Sequence, residues 1–448
     1  MEMPRSLSNL IAYANTIDKS GGSQHTQLSA MVVTPTEQLP LILPQGYAKF
    51  SLYAVNCADD FRIKASIQPG VYQNKVLPNK DNLYIEVTER KGLTQTMKRF
   101  RAVPLGDSNP QMIGTSTQLA DLGAKDNINM VTVSFQLMET GYAILKNVMV
   151  SDRHLMSSLD NVLHYQLTKY GKQLQLIGED AWRGVDIERP IDNPREFKQI
   201  IIGGHPAAVP YPQLARFLQN HEEFGIYSKG LGAYYRKGMW MIYPLFKVGR
   251  YEKARAVLNI YRLPEDVFPT LEATHFTQGK VTTILSTGKA KHIDGADIKK
   301  QNQGSGKRII SADTVMGEVG AYYGNGQAVA TRQDSLSEYQ TSVRGSGEER
   351  APFLDKPTNN LCKHLSENAF NEGTMETIQW NNSNHDLLVP AMPVRFYYMS
   401  GDNTLKYKEG TLLAARTEFQ KDSETTNLAF RQHSALSLFL NNQEMDAE

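Results

Sequence analysis

Gly304, Ser305, Gly306, Lys307 and Arg308 carry the end of the pattern of a phosphate-cradling loop. Such a loop wraps backbone N–H groups around phosphate oxygens, sends a lysine to the outer phosphates and holds magnesium with a Ser or Thr hydroxyl. Here Gln301 stands where the pattern's first glycine belongs, and Arg308 stands where the hydroxyl belongs. No strand-to-helix frame surrounds them, so the spacing speaks against nucleotide binding. Gly203, Gly204 and His205 lack the pattern of a dinucleotide turn. His221-Glu222-Glu223 would open a zinc-binding helix only with a second histidine at 225, where the chain has Gly225. The adjacent carboxylates Glu179-Asp180 and Asp59-Asp60 would face opposite sides of a strand. A glycosidase pair needs two carboxyls ~5 to ~9.5 Å apart, which distant residues can supply and chain spacing does not reveal. No Gly-x-Ser-x-Gly elbow occurs. The histidines are scattered, and Cys57 and Cys362 match no metal spacing. The residues therefore predict no catalytic group, no cofactor and no metal site.

With 448 residues the chain is long enough for two to four domains. Hydrophobic residues make up 40%, which suits an ordered chain rather than a disordered one. A net charge of +1 gives no global electrostatic case for nucleic acid or anionic membrane. Residues 1–9 lack the apolar core of a secretory signal. No run approaches the ~20 apolar residues of a membrane-spanning helix, so no membrane-spanning segment is expected.

The elements that would position any site are mostly strands. Phe61, Ile63, Ala65 and Ile67 alternate with Arg62, Lys64 and Ser66. Leu83, Ile85 and Val87 alternate with Tyr84, Glu86 and Thr88, and 129–137 sets Val131, Val133, Phe135 and Leu137 on one face. Pro69-Gly70 reads as a turn followed by a strand over 71–77. Near the other end, 387–399, 410–419 and 428–440 are β-branched or aromatic runs bounded by turn residues. Between the two blocks, Ser157 begins a helix with Asp160 at its third position, closed by Gly171. Pro212 opens a second helix over 213–223, and a hairpin spans 233–244. Residues 286–348 are rich in Gly, Ser, Lys, Gln and Asp and predict long exposed loops, with an edge strand at 309–312.

These patterns predict a mainly β chain with a mixed α/β insert: two similar antiparallel β-barrel domains flanking an α+β middle region. The boundaries fall at 1–150 for the first barrel with its N-terminal arm, 151–285 for the middle domain, 286–440 for the second barrel with long loops, and 441–448 for a tail. Tyr227, Tyr234, Tyr235, Trp240, Tyr243 and Phe246 make the middle region dense in aromatics. Aromatics mixed with Arg and Met mark interfaces. They suit a sugar-binding cleft or a small α+β core equally.

The order 131–137, then Ala143-Ile144-Leu145 and Val148-Met149-Val150, then the helix from Ser157 resembles the tail hub of contractile-tailed bacteriophages and the hub part of type VI secretion spike proteins. Phe224-Gly225-Ile226-Tyr227 and Gly238-Met239-Trp240 are similar to the middle domain of such hubs, and 388–395 with 410–413 to their second barrel. The resemblance covers about 40–440 and is looser over 265–385. It implies a non-enzymatic homotrimer in the virion tail baseplate, assembled in the host cytoplasm. Its ring would adapt the six-fold tail tube protein to the three-fold central spike protein. It would also touch baseplate wedge proteins and keep a channel open for the tape-measure protein and for DNA in transit. Contacts to spike or neighbour are expected within 155–260. Two other readings stay open: a carbohydrate-binding or carbohydrate-cleaving protein using the aromatic middle, and a tail tube or other virion structural protein.

Overall fold

The computed structural model describes residues 9–12, 25–40, 43–91, 94–105, 131–203, 208–220, 225–263, 274–286, 290–294, 307–310, 338–341, 373–401, 404–421 and 429–447. The first block holds β1 (Thr26–Val33), β2 (Gln38–Pro40), β3 (Leu43–Ser51), β4 (Asp60–Ile67), β5 (Tyr84–Lys91), β6 (Thr94–Leu105) and β7 (Val131–Glu139). Alternation dictates their burial: in β4, Phe61, Ile63, Ala65 and Ile67 are buried while Arg62 and Lys64 are exposed. The insert holds β8 (Met149–Val150), β9 (Asp152–Ser158), the helix Leu159–Gly171, β10 (Gly184–Ile187), β11 (Glu196–Ile202), β12 (Val209–Pro210), the helix Leu214–Gln219 and the hairpin of β13 (Leu231–Arg236) and β14 (Met239–Pro244). Then follow β15 (Val257–Arg262), β16 (His275–Gln278), β17 (Val281–Ser286), β18 (Ala290–Asp294), β19 (Lys307–Ile310), β20 (Glu338–Thr341), β21 (Gly373–Asn381), β22 (Pro393–Met399), β23 (Leu405–Lys421), β24 (Ala429–Asn441) and β25 (Met445–Asp446).

The two predicted barrels, each built from its own end of the chain, do not form. Both blocks belong to one 16-stranded sheet, ordered β16-β17-β15-β22-β23-β3-β4-β7-β6-β5-β1-β24-β21-β18, with β2 paired to β1 and β25 to β23 off this path. Its C-terminal hairpin is common to both blocks. β23 pairs with β22 over Leu405 to Thr411 and with β3 over Ala415 to Phe419. A bulge between Leu412 and Ala414 marks the change of neighbour, as an extra residue bends and twists a strand. β24 likewise meets β1 at Ala429 and Phe430 and β21 from His433 onward. The sheet is mixed rather than antiparallel, because β15 runs parallel to both β17 and β22. β15 and β16, and all of β17 but its last residue, lie within 151–285 and pair into this sheet.

Three cores follow. One packs Leu28, Ile63, Ile85 and Phe135 of the first block with Phe419 and Phe430 of the hairpin. A second packs Leu258, Trp380, Phe396, Leu412 and Leu438 with Tyr53 and Tyr243. The third fills the insert with Leu163, Ile200, Tyr211, Trp240 and Ile242. Each such side chain contributes about 1.5–3 kcal/mol by leaving water.

Several local expectations shift. Residues 69–82 are helical turns rather than a turn and strand, because Pro69 occupies a helix's first position without needing an N–H. The insert helix begins at Leu159 with Ser158 as its cap residue, one place later than expected, and the Ser158 hydroxyl donates to Asp160 at 2.6 Å. Cys57 is a buried free thiol whose Sγ donates to the Pro212 carbonyl at 3.2 Å. Cys362, His205, residues 221–223, Gly304 to Gly306 and most of 286–348 lie outside the described residues. β19 and β20 pair with each other.

Candidate functional site

The structure places the aromatic set inside the chain. Tyr227, Tyr234, Tyr235 and Trp240 are fully buried, Tyr243 is nearly so, and Phe246 is half-buried against Phe439. Trp240 packs edge-on between Tyr211 and Tyr235. The Tyr227 hydroxyl donates to the Glu188 carbonyl at 2.5 Å, Tyr234 to Asp59 at 2.7 Å and Tyr243 to the Tyr53 carbonyl at 3.2 Å. Five of these rings pack the interior of the single chain, and Phe246 is partly exposed. They offer no open platform on which a sugar could stack.

Tyr234 leads to a polar junction that spacing along the chain did not reveal. It lies where β3, the insert hairpin, the turn His385–Leu387 and the C-terminal hairpin meet. The Lys49 ammonium is buried 2.7 Å from Glu89 and 3.5 Å from Asp386, and Lys98 lies 3.5 Å from the same Asp386 oxygen. Arg236 reaches Asp59 at 3.3 Å and also donates to the Leu388 carbonyl. Burial pulls the Lys49 ammonium down, yet Glu89 and Asp386 outweigh it and its pKa rises. Burial pushes Asp386 up, but Lys49 and Lys98 overcome it and hold that carboxyl well below its ordinary range. A buried charge lacking such partners would cost several kcal/mol.

A serine and a histidine meet in this junction, although 334 residues separate them. Ser51 Oγ lies 2.9 Å from His385 Nε2. A nucleophilic pair needs a carboxylate on the other ring nitrogen and access to substrate. Here His385 Nδ1 meets the Thr417 hydroxyl at 2.7 Å, and Ser51 donates its proton to Asp59 at 2.5 Å. Both residues are fully buried, and the chain continues from Thr417 through Ser434 to Ser383. Burial, then the Arg236 and Lys49 charges, press His385 far below its usual pKa, so the ring stays neutral. The arrangement ties strands together, with Ser51 and His385 themselves fully buried. Among the described residues no group of three or more His, Cys, Asp or Glu side chains is arranged to hold a metal. No helix among them is long and apolar enough to cross a membrane.

What the chain does expose is an apolar strip on the insert. β9 and β11 form an antiparallel two-stranded ribbon in which Leu155 lies opposite Gln199 and Arg153 opposite Ile201. One face turns Ile200 and Ile202 into the core, beneath which Gln166 and Lys169 of the helix bond Asp152. The other face carries Leu155, 58% exposed, and Ile201, 51% exposed, with Arg153 donating to Gln199 at 3.2 Å beside them. Met156, 67% exposed, follows Leu155 in left-handed backbone at φ 47°. For a non-glycine residue that conformation costs on the order of 1–2 kcal/mol. Tyr165, 54% exposed, stands against the His154 ring near the same ribbon.

No family model matches the sequence, and no curated protein matches it. Solved structures do. A tail protein of Neisseria meningitidis MC58 is similar over 92% of this chain and 96% of its own, at 11% identity and a TM-score of 0.44. The 43 kDa tail protein of prophage MuSo2 from Shewanella oneidensis is similar over 92% and 98%, at 11% identity and a TM-score of 0.43. A Francisella PdpA–VgrG complex is similar over 95% of this chain and 59% of that one, at 8% identity and a TM-score of 0.41. Each of these likenesses spans more than nine-tenths of this chain.

Proposed function

We propose that this chain is a structural subunit of a bacteriophage tail baseplate hub. Three copies form a ring that joins the six-fold tail tube to the three-fold central spike and keeps the channel continuous for tape-measure protein and DNA. The observation that carries the reading is the strip of Leu155, Met156 and Ile201, more than half exposed on a ribbon whose other face is packed. Apolar side chains held out in this way gain by being covered, and they mark assembly surfaces. The strip falls inside 155–260, the region from which the sequence resemblance implies contacts to the spike or a neighbour. Heterologous contacts close such a ring, and an obligate ring of this kind buries more than ~2,000 Å² at each interface.

Native mass spectrometry of the full chain, alone and with the spike protein, tests this. The expected species weighs three times the 50.2 kDa chain. A strict monomer under both conditions sinks the reading.

A further inference from the structure

A cleft of about 200 Å³ opens where the insert hairpin meets the first block. Glu139, the last residue of β7, lines it together with Glu179 and Asp180 of the insert. The turn between β13 and β14 joins the two. Lys237 and Gly238 both hold left-handed backbone, at φ 50° and 74°. Successive N–H groups in such a turn converge and can take a carboxylate. Both amides donate to Glu139, at 2.9 Å each. The same turn is fixed to the insert. The Gly238 carbonyl accepts from the Arg183 N–H at 2.8 Å, and the Ala181 carbonyl leaves no room for a Cβ at Gly238. Through one turn, then, Glu139 holds the segment 178–183 that carries Glu179 and Asp180.

The other charges around the cleft are committed elsewhere. Asp59 takes Arg236 at 3.3 Å, Lys98 lies 3.5 Å from Asp386, and Arg99 lies 3.9 Å from Glu86. The Lys237 side chain is exposed and pairs with no acid among the described residues. Glu139, Glu179 and Asp180 make no ion pair among those residues either. The Tyr235 hydroxyl nearby is buried without a hydrogen-bond partner and brings no charge. A half-buried carboxyl set among other carboxyls, with no ion-pair partner, holds its proton tightly. Burial above all, with Asp180 and Asp59 adding to it, raises Glu139 to about 7 against the two amides. Burial and then the Glu179 charge raise Asp180 as well.

We propose that the contact of Glu139 with the turn 237–238 is a proton-linked joint: protonated, it keeps the cleft closed, and ionised, it lets the turn and the segment 178–183 open locally to water. Opening hydrates the carboxylate and separates it from Asp180, and its proton goes to solvent. A group that binds its proton more tightly closed than open makes opening easier as pH rises. The insert stays attached, because the Tyr235 N–H still donates to the Cys57 carbonyl at 2.7 Å and Arg236 still holds Asp59. What changes is the stiffness with which the insert is carried. The inference stands apart from the hub reading, because Leu155, Met156 and Ile201 do not line the cleft.

Hydrogen exchange of the full chain between pH 5.5 and pH 8.5, read by mass spectrometry and corrected for the intrinsic rate at each pH, tests this. Protection over 178–183 and 236–239 should fall about tenfold or more and level off above about pH 7, while 61–67 holds steady. Glu139→Gln keeps an acceptor for the turn and cannot ionise, so its protection should stay level across the range. Glu179→Gln with Asp180→Asn should bring the levelling-off to lower pH and shrink the fall. Protection that does not change with pH, a fall of equal size in Glu139→Gln, or a levelling-off that the double substitution leaves in place overturns the proposal.

Discussion

At the scale of single residues, two buried charges set measurable behaviour. Lys49→Ala strands Glu89 without its ammonium and leaves Asp386 with Lys98 alone. Urea unfolding should show a loss of about 3–5 kcal/mol. Glu139 ends β7 and accepts from the Lys237 and Gly238 amides at 2.9 Å each, so it ties the insert hairpin to the first block. Burial pushes its carboxyl up to about 7, with Asp180 and Asp59 adding to the rise and the two amides opposing it. A carboxyl raised on folding adds stability that is full below its unfolded pKa and is lost as pH rises through about 7. Relative to Glu139→Gln, the native chain should therefore lose on the order of 2 kcal/mol between pH 5 and pH 8.5, as read by unfolding curves across that range. None of this was legible in the sequence. Ser51 and His385, or Lys49 and Asp386, are ordinary residues in separate blocks, and only the tertiary path makes them neighbours. The aromatic set was visible as a cluster, yet the same composition suits a core and an interface, and in the single chain five of the six are buried.

At the scale of elements, period-two alternation was a sound guide. β4, β5 and β7 appear where Phe61 to Ile67, Leu83 to Val87 and Val131 to Leu137 alternate. Alternation fixes which face is buried and is silent on which strand lies alongside. Parallel pairing of β15 with β22, like the change of partners along β23, was therefore out of reach. The helical run after Pro69 was missed because Pro-Gly begins a turn and a helix alike. Two predictions belong here. At Gly410 an added Cβ would meet the Phe439 carbonyl oxygen at 1.8 Å, so Gly410→Ala should destabilise the C-terminal hairpin by about 1–3 kcal/mol and lower the melting midpoint. On the ribbon, Leu155→Asp with Ile201→Asp should leave the monomer's melting curve within about 0.5 kcal/mol of the parent, since both side chains already face water. The same pair should abolish the trimer in sedimentation. A trimer that survives would move the contact surface elsewhere.

At the scale of the whole molecule, the shared hairpin makes the two ends of the chain interdependent. A β-rich chain with a mixed insert was legible from residue patterns. Two independent units were the wrong inference, because a hydrophobic strand pattern does not reveal that Phe419 and Phe430 belong to the core of the first block. A fragment covering 25–145 should accordingly give a circular dichroism spectrum without cooperative thermal melting, because β3 and β1 lose their β23 and β24 neighbours. A cooperative transition in that fragment would show that the first block closes by itself.

That dependence bears on how the protein comes off the ribosome. Translation proceeds at about 5–20 residues per second, and domains generally fold as units. The first seven strands must wait, with two unpaired sheet edges and a core lacking two phenylalanines, until the residues of β23 and β24 emerge. A prematurely terminated polypeptide would keep those edges open and be drawn to aggregation or proteolysis. Only chains carrying the hairpin could then survive to be built into a particle, so the topology would screen defective products before assembly.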